Sequence, residues 1–274
     1  MNEAIEHATR KLRLSGMAQS LDIRFQEARA NRLGHEQFLE LILQDEMLVR
    51  KERQFGRRLR QASFSTVNTM DQFNWNFNPK LDRDRIELLA ACQFIRDKAD
   101  VLFIGPPGVG KSHLAQAIGY NALRMGFLVL YRSIFDLVRE FLRDEAMAGE
   151  GKALARYLKP DLLIIDDMGL KQLPNNSAEY LFEVVMRRHE NRSTIMTSNR
   201  PIEEWGKLLG DVPAAGAILD RFLHHAEVIP MQGRSHRLKE RTTPSHEHLE
   251  NTPCNPTFTT PRVAQFEPTT SGLV

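Results

Sequence analysis

Val101-Leu-Phe-Ile-Gly-Pro-Pro-Gly-Val-Gly-Lys-Ser112 decides the fold. Val101–Ile104 reads as a short buried strand, and Gly105–Ser112 satisfies G-x-x-x-x-G-K-[ST] at every fixed position. An amphipathic helix, His113–Arg124, follows. In a strand–loop–helix setting the glycines allow a tight loop, and successive backbone N–H groups and the helix N-terminus converge on phosphate. A chance Gly-rich turn accounts for the loop but not for its flanks. In the functional reading Gly105, Pro106, Pro107, Gly108, Val109, Gly110, Lys111, Ser112 and His113 surround the phosphates of ATP. Lys111 reaches the β- and γ-phosphates, and the Ser112 hydroxyl ligates Mg²⁺.

Downstream, short apolar runs alternate with helices. The expected strands are Val101–Ile104, Phe127–Tyr131, Leu162–Ile165, Thr194–Thr197 and Ala226–Ile229, and the expected helices also include Ser133–Arg143, Ser177–Glu190 and Ala214–Leu223. Continuous apolar strands between helices predict an α/β fold with a parallel sheet covered on both faces. Leu162-Leu-Ile-Ile-Asp166-Asp167 ends an apolar strand in carboxylates. Asp166 is placed to hold Mg²⁺ through water, and Asp167 to polarise the attacking water; alone, the pair also reads as an acidic turn. Asn199, after the Thr194–Thr197 strand, either orients that water or starts the turn before Pro201.

Upstream, the first 60 or so residues have helical periodicity, in two stretches separated by Gly34. The second stretch runs into Arg50-Lys-Glu-Arg-Gln-Phe-Gly-Arg-Arg-Leu-Arg60, six basic residues against one acid. That block carries +5; subtracted from the whole-chain +2 (37 Lys+Arg, 35 Asp+Glu), it leaves −3 elsewhere. Near-neutrality excludes a histone-like polybasic chain but not a local nucleic-acid surface. On a helix Arg50, Arg53, Arg57 and Arg60 form a stripe with Lys51 and Arg58 beside it, either a sequence-tolerant contact to the phosphates of double-stranded DNA or a solvated face. No helix-turn-helix or zinc module accompanies it. Weaker DNA-contact candidates are Arg139, Arg143, Lys152 and Arg156, flanking the Met147–Gly151 loop.

Residues 62–80 collect Ser, Thr and Asn with Phe64, Phe73, Trp75 and Phe77 interleaved, and read as a linker. Residues 242–274, rich in Thr and Pro, read as a disordered tail. The expected divisions are a helical domain (1–64), a linker (65–80), an ATPase core (81–241) and the tail. Two cysteines, Cys92 and Cys254, exclude a disulfide framework and fit a reducing cytoplasm. No apolar run reaches membrane-helix length, and residues 1–6 lack a signal-peptide pattern.

The phosphate loop at 105–112 (Walker A), the acidic strand at 162–167 (Walker B) and Asn199 (sensor I), in this order, resemble the AAA+ ATPases. Within them the chain is more similar to the IstB/DnaC group, from about residue 10 to about 241. The marks are Leu14-Ser-Gly-Met-Ala18, Phe77-Asn-Pro-Lys-Leu-Asp82, Ile218-Leu-Asp-Arg221-Phe-Leu-His-His225 and Gly233-Arg-Ser-His-Arg237. The first and third look like IstB, the ATP-binding helper of an insertion-sequence transposase.

The resemblance implies an AAA+ fold with a central five-stranded parallel sheet, ATP-dependent homo-oligomers with ATP at subunit interfaces, DNA binding and a cognate transposase as partner. It implies that Arg221 is an arginine finger for the neighbouring subunit's ATP; capping a helix or pairing with Asp220 is its structural alternative. Phe77 either stacks on adenine or packs on the core. Arg234 or Arg237 either contacts nucleotide as sensor II or belongs to a basic turn, and a helical lid is expected to be absent or reduced. Asp167 stands where many AAA+ proteins have Glu, one methylene longer, so slow turnover is expected. Two functional alternatives remain at this level: a DnaC-like helicase loader, and a nucleotide-switched DNA-binding module with negligible hydrolysis.

Overall fold

A computed structural model describes residues 3–147, 151–168, 174, 177–209, 212–233 and 235. The chain opens with three helices, α1 (Glu3–Lys11), α2 (Ser15–Asn31) and α3 (His35–Ala62). Two 3₁₀ turns, Met70–Gln72 and Trp75–Phe77, lie in the Ser/Asn-rich stretch. Then come α4 (Arg83–Ala90), α5 (Gln93–Arg96), β1 (Asp100–Ile104), α6 (Lys111–Arg124), β2 (Val129–Ser133), α7 (Ile134–Ala146) and α8 (Lys152–Leu158). They are followed by β3 (Leu162–Met168), α9 (Ser177–Arg188), β4 (Ser193–Ser198), α10 (Trp205–Leu209), α11 (Val212–His224) and β5 (Ala226–Pro230).

The sheet is five-stranded and all-parallel, as expected, and its strand order is β2-β3-β4-β1-β5. Alternation along each strand divides the core in two. Val101, Phe103, Tyr131, Ile164 and Ile195 join one cluster with residues of α4, α6 and the end of α3. Leu102, Leu130, Leu163, Ile165 and Met196 join the other with residues of α7, α8, α9 and α11. Burial on both faces is why these strands read as unbroken apolar runs.

Element ends shift for identifiable reasons. The chain leaves α6 through Gly126, and the Phe127 N–H bonds back to the Ala122 carbonyl at 3.0 Å. Phe127 therefore belongs to the helix exit, and β2 runs from Val129 rather than from Phe127. Helix α9 stops at Arg188, short of Glu190, whose φ of 58° lies in the left-handed region. Strand β3 continues three residues beyond Ile165, through an irregularity between Ile165 and Met168.

Helix α3 connects the two parts of the molecule. Its first half pairs with α2, Phe25 stacking on Phe38 with ring centroids 5.1 Å apart. Its last turns pack on α6 and the sheet, where Phe55 meets the Tyr120 ring edge-on at 5.6 Å and Ala62 is fully buried. The α2 N-terminus has no side-chain cap of its own. Glu46 of α3 supplies one, accepting the N–H groups of Gly16 at 2.6 Å and Met17 at 3.1 Å. Burial pushes the Glu46 carboxyl up, but hydrogen bonds from Arg50, Met17 and Gly16 outweigh it and hold the group below its usual range. A Cβ at Gly16 would sit 2.7 Å from Glu46 Cα. That contact gives the Leu14-Ser-Gly-Met-Ala18 motif a structural reason.

No described helix is long and apolar enough to cross a membrane. Arg234, Arg237, the expected tail and the stretch bearing on a lid lie outside the described residues.

Candidate nucleotide-binding site

The Gly105–Ser112 loop leaves the C-terminal end of β1 and enters α6. Gly110, at φ 99°, is the α6 N-cap. A Cβ there would lie 2.7 Å from Phe73 Cε2, so this position needs glycine for both conformation and space. Lys111 is buried, and its ammonium donates to the carbonyls of Gly105 and Pro106, each at 2.8 Å. The side chain thus folds over its own loop.

Sheet register sets the acidic part. Ile164 is opposite Tyr131 and Ile195 in the neighbouring strands. Two residues on from Ile164 and Ile195, Asp166 and Thr197 share their face of the sheet. The Asp166 carboxylate accepts from the Ser112 hydroxyl at 2.9 Å and from the hydroxyls of Tyr131 and Thr197. Burial, followed by the Asp166 charge, pushes the Tyr131 phenol well above its usual range, so it serves as a donor. Asp167 follows with φ 64°, and its N–H bonds the Thr197 hydroxyl at 3.1 Å. This irregular step turns the second carboxylate away from the alternation of β3. Asn199 leaves β4 with its N–H on the Met168 carbonyl at 3.0 Å.

These groups line one cleft of about 450 Å³. Pro107 to His113, Asp166, Asp167 and Asn199 all border it, as does Phe77. The structure therefore brings together most of the residues expected to handle nucleotide. His113 faces the linker as well, with Nε2 3.1 Å from the Thr69 carbonyl and its ring edge-on to Phe73 at 5.4 Å. Eight lining residues escape the motif reading: Ser65, Thr66, Asn68, Gln72, Phe73, Asn74, Gln116 and Tyr131. Tyr131 lies on a strand with no motif, although its place two residues before Ser133 puts it on the Asp166 face. The linker residues carry no signal beyond aromatic content. Thr197, quoted only as a flank of Asn199, holds both carboxylate residues.

The oxygen set fits Mg²⁺: Ser112 and Asp166 present a hydroxyl and a carboxylate beside the phosphate loop, hard donors suited to a hard cation.

Arg221 does not border this cleft. It is exposed on α11 and makes no ion pair among the described residues, with Asp220 or otherwise. The basic stripe is divided. Arg50 pairs with Glu46 at 2.7 Å, and Arg53 donates to the Ser15 hydroxyl, so both help to hold the helical hairpin. Lys51, Arg57 and Arg60 are exposed, and Arg58 is half-buried near Gly126. Of the weaker candidates, Arg139 pairs with Asp136 at 3.4 Å and Arg156 with Glu140 at 3.1 Å.

The sequence profile described as "IstB-like ATP binding protein" matches residues 7–244. The chain belongs to the IstB-like ATP-binding proteins. A relative from Geobacillus stearothermophilus, named for ATP binding and insertion sequence IS5376, is 36% identical over 88% of this chain and 96% of its own. One from Pseudomonas aeruginosa, named for ATP binding and insertion sequence IS21, is 33% identical over 84% of this chain and 87% of its own. Among solved structures, AMPPCP-bound DnaA from Aquifex aeolicus is similar at TM-score 0.49 and 19% identity, covering 60% of this chain and 49% of the other. As an IstB-like protein, the chain carries its phosphate loop, acidic strand and Asn199 on one five-stranded parallel sheet.

Proposed function

We propose that this protein is a slow, DNA-stimulated ATPase that assembles on double-stranded DNA and helps a transposase select or engage target DNA in a reducing cytoplasm. The observation that carries the reading is the contact between the phosphate loop and the acidic strand, Ser112 to Asp166 at 2.9 Å, inside a cleft also bordered by Asp167 and Asn199. Lys111 binds the β- and γ-phosphates. Ser112 and Asp166 hold Mg²⁺, which supplies charge neutralisation at the phosphates when bound. Asp167 and Asn199 orient the lytic water, and Phe77, with the linker, borders the base. The exposure of Arg221 supports a role toward ATP in a neighbouring subunit, so that nucleotide joins protomers.

The division of labour follows residues 1–64 for DNA and assembly, 65–80 as the linker over the phosphate loop, 81–241 as the ATPase core, and 242–274 as an appendage the core does not need. Lys51, Arg57 and Arg60 are the foremost DNA contacts because no internal acid engages them among the described residues. The relatives' insertion-sequence names support a transposase client over a replicative helicase.

The test is phosphate release with and without random-sequence duplex. Stimulation by DNA, falling as salt rises, supports the reading. ATP binding with no release under either condition would instead establish a nucleotide-switched binding module. The short Asp167 and its left-handed backbone favour that second reading over fast turnover.

A further inference from the structure

Three imidazoles meet at the N-terminal end of the strands, opposite the phosphate cleft. His189 follows α9, His224 ends α11, and His225 precedes β5. One ring nitrogen from each can be chosen so that all three lie within 4.8 Å of one another. The His224 and His225 rings are edge-on with centroids 4.3 Å apart, and the His189 ring lies 5.4 Å from that of His225. Glu190 brings a carboxylate to the same place, its Oε1 3.6 Å from His189 Nε2 and 3.5 Å from His225 Nε2. His189 Nδ1 is buried and has no hydrogen-bond partner among the described residues. A buried polar nitrogen left unpaired is costly, so its retention calls for a partner that the described residues do not supply.

We propose that His189, His224 and His225, with Glu190 beside them, form a site for a borderline divalent transition ion, Zn²⁺ above all. Imidazole nitrogens with one carboxylate suit zinc rather than the magnesium expected at the phosphate loop. Tetrahedral bonds of about 2.0–2.1 Å bring ligand atoms to about 3.3 Å from one another. His224 and His225 are exposed, so rotation of their rings closes that gap without moving the core. The ion would tie the ends of α9 and α11 to the start of β5. Arg221 lies one turn before His224 on α11, so the ion would also stiffen the end of the helix that carries it.

The test uses the full chain with Mg²⁺ in excess and titrates Co²⁺ as the spectroscopic probe, then Zn²⁺ in competition. The proposal expects one Co²⁺ per chain with visible bands of a tetrahedral nitrogen and oxygen site, displaced by Zn²⁺. His224→Ala and His225→Ala should each weaken binding by more than about tenfold, while His35→Ala and the paired His246→Ala and His248→Ala leave it unchanged. Circular dichroism confirms that each variant is folded. Thiolate-to-cobalt charge transfer, loss of binding in the His246 and His248 variants, or undiminished binding in both cluster variants would overturn the assignment. So would the absence of any one-to-one complex. None of these outcomes depends on ATP hydrolysis.

Discussion

The Ser112 hydroxyl donates to Asp166 Oδ1 across 2.9 Å, joining the first turn of α6 to the end of β3. The same carboxylate receives the hydroxyls of Tyr131 and Thr197. Three donors around one buried carboxylate fix its position before any phosphate arrives. A preset donor and acceptor geometry lowers the reorganisation needed when charge develops on a phosphoryl group.

Lys111→Ala removes the cation that spans the Gly105 and Pro106 carbonyls. Charge-assisted bonds contribute about 1.5–3 kcal/mol each, so ATP affinity should fall roughly 10- to 100-fold. Fluorescent-nucleotide titration measures it, and the variant should keep the wild-type unfolding midpoint within a few degrees. Unchanged affinity would remove Lys111 from phosphate binding.

Thr197 supports Asp166 through its hydroxyl hydrogen and Asp167 through its oxygen. Thr197→Val leaves the Asp167 N–H without that acceptor, and the expected loss of stability is about 1–3 kcal/mol. As a positioning residue its loss should lower kcat about 10- to 100-fold while KM changes little. Thr197→Ser should restore most of kcat. Equal losses in Val and Ser would assign Thr197 to packing alone.

The parts that were legible in the sequence depend on backbone pattern. Gly105–Ser112 announces a loop because its glycines and lysine have fixed chemistry, and the apolar runs announce a sheet because both of its faces are covered. The parts that were not legible depend on register and on side-chain direction. Tyr131 reads as one more apolar strand residue until β2 is aligned with β3. Arg50 and Arg53 read as members of a free basic stripe, because nothing local shows that Glu46 and Ser15 engage them. Arg188 stands in the last turn of α9 beside exposed Arg187, and no sequence motif marks it. It is fully buried, donating to the Tyr157 and Pro160 carbonyls at 2.9 Å each, as well as to the Ser193 carbonyl and Thr194 hydroxyl.

Two glycines in the helical region should respond with opposite signs. Gly16→Ala forces a Cβ to 2.7 Å from Glu46 Cα and 2.8 Å from the Asp45 carbonyl oxygen, both backbone atoms. Overpacking of this kind costs about 1–3 kcal/mol. At Gly56, inside α3, a Cβ would meet nothing nearer than Arg60 Nη1 at 3.9 Å. Gly56→Ala should therefore stabilise by roughly 0.5–1 kcal/mol through helix propensity. Urea unfolding of both variants checks the contrast.

Arg24 donates to both carboxylate oxygens of Asp45 at 2.8 Å. Those bonds hold the Asp45 carboxyl at about 2, below its ordinary 3.8. A depressed folded-state pKa contributes stability that is present above the unfolded value and lost as pH falls through the folded one. The stability gap between wild type and Asp45→Asn should be full at pH 5 and above, by this linkage, and should shrink from about pH 4 toward pH 2. Unfolding midpoints measured stepwise from neutral to acid pH test it. A gap that stays constant would show that Asp45 contributes by shape alone.

In the proposed function ATP joins protomers on DNA, one supplying Lys111 and Asp166 and its neighbour Arg221. Light scattering of the full chain with ATP, Mg²⁺ and duplex DNA tests it most directly. Large assemblies should form only with ATP and DNA together, and Lys111→Ala and Arg221→Ala should each prevent them while leaving the monomer folded. Assemblies of unchanged size in both variants would contradict the account.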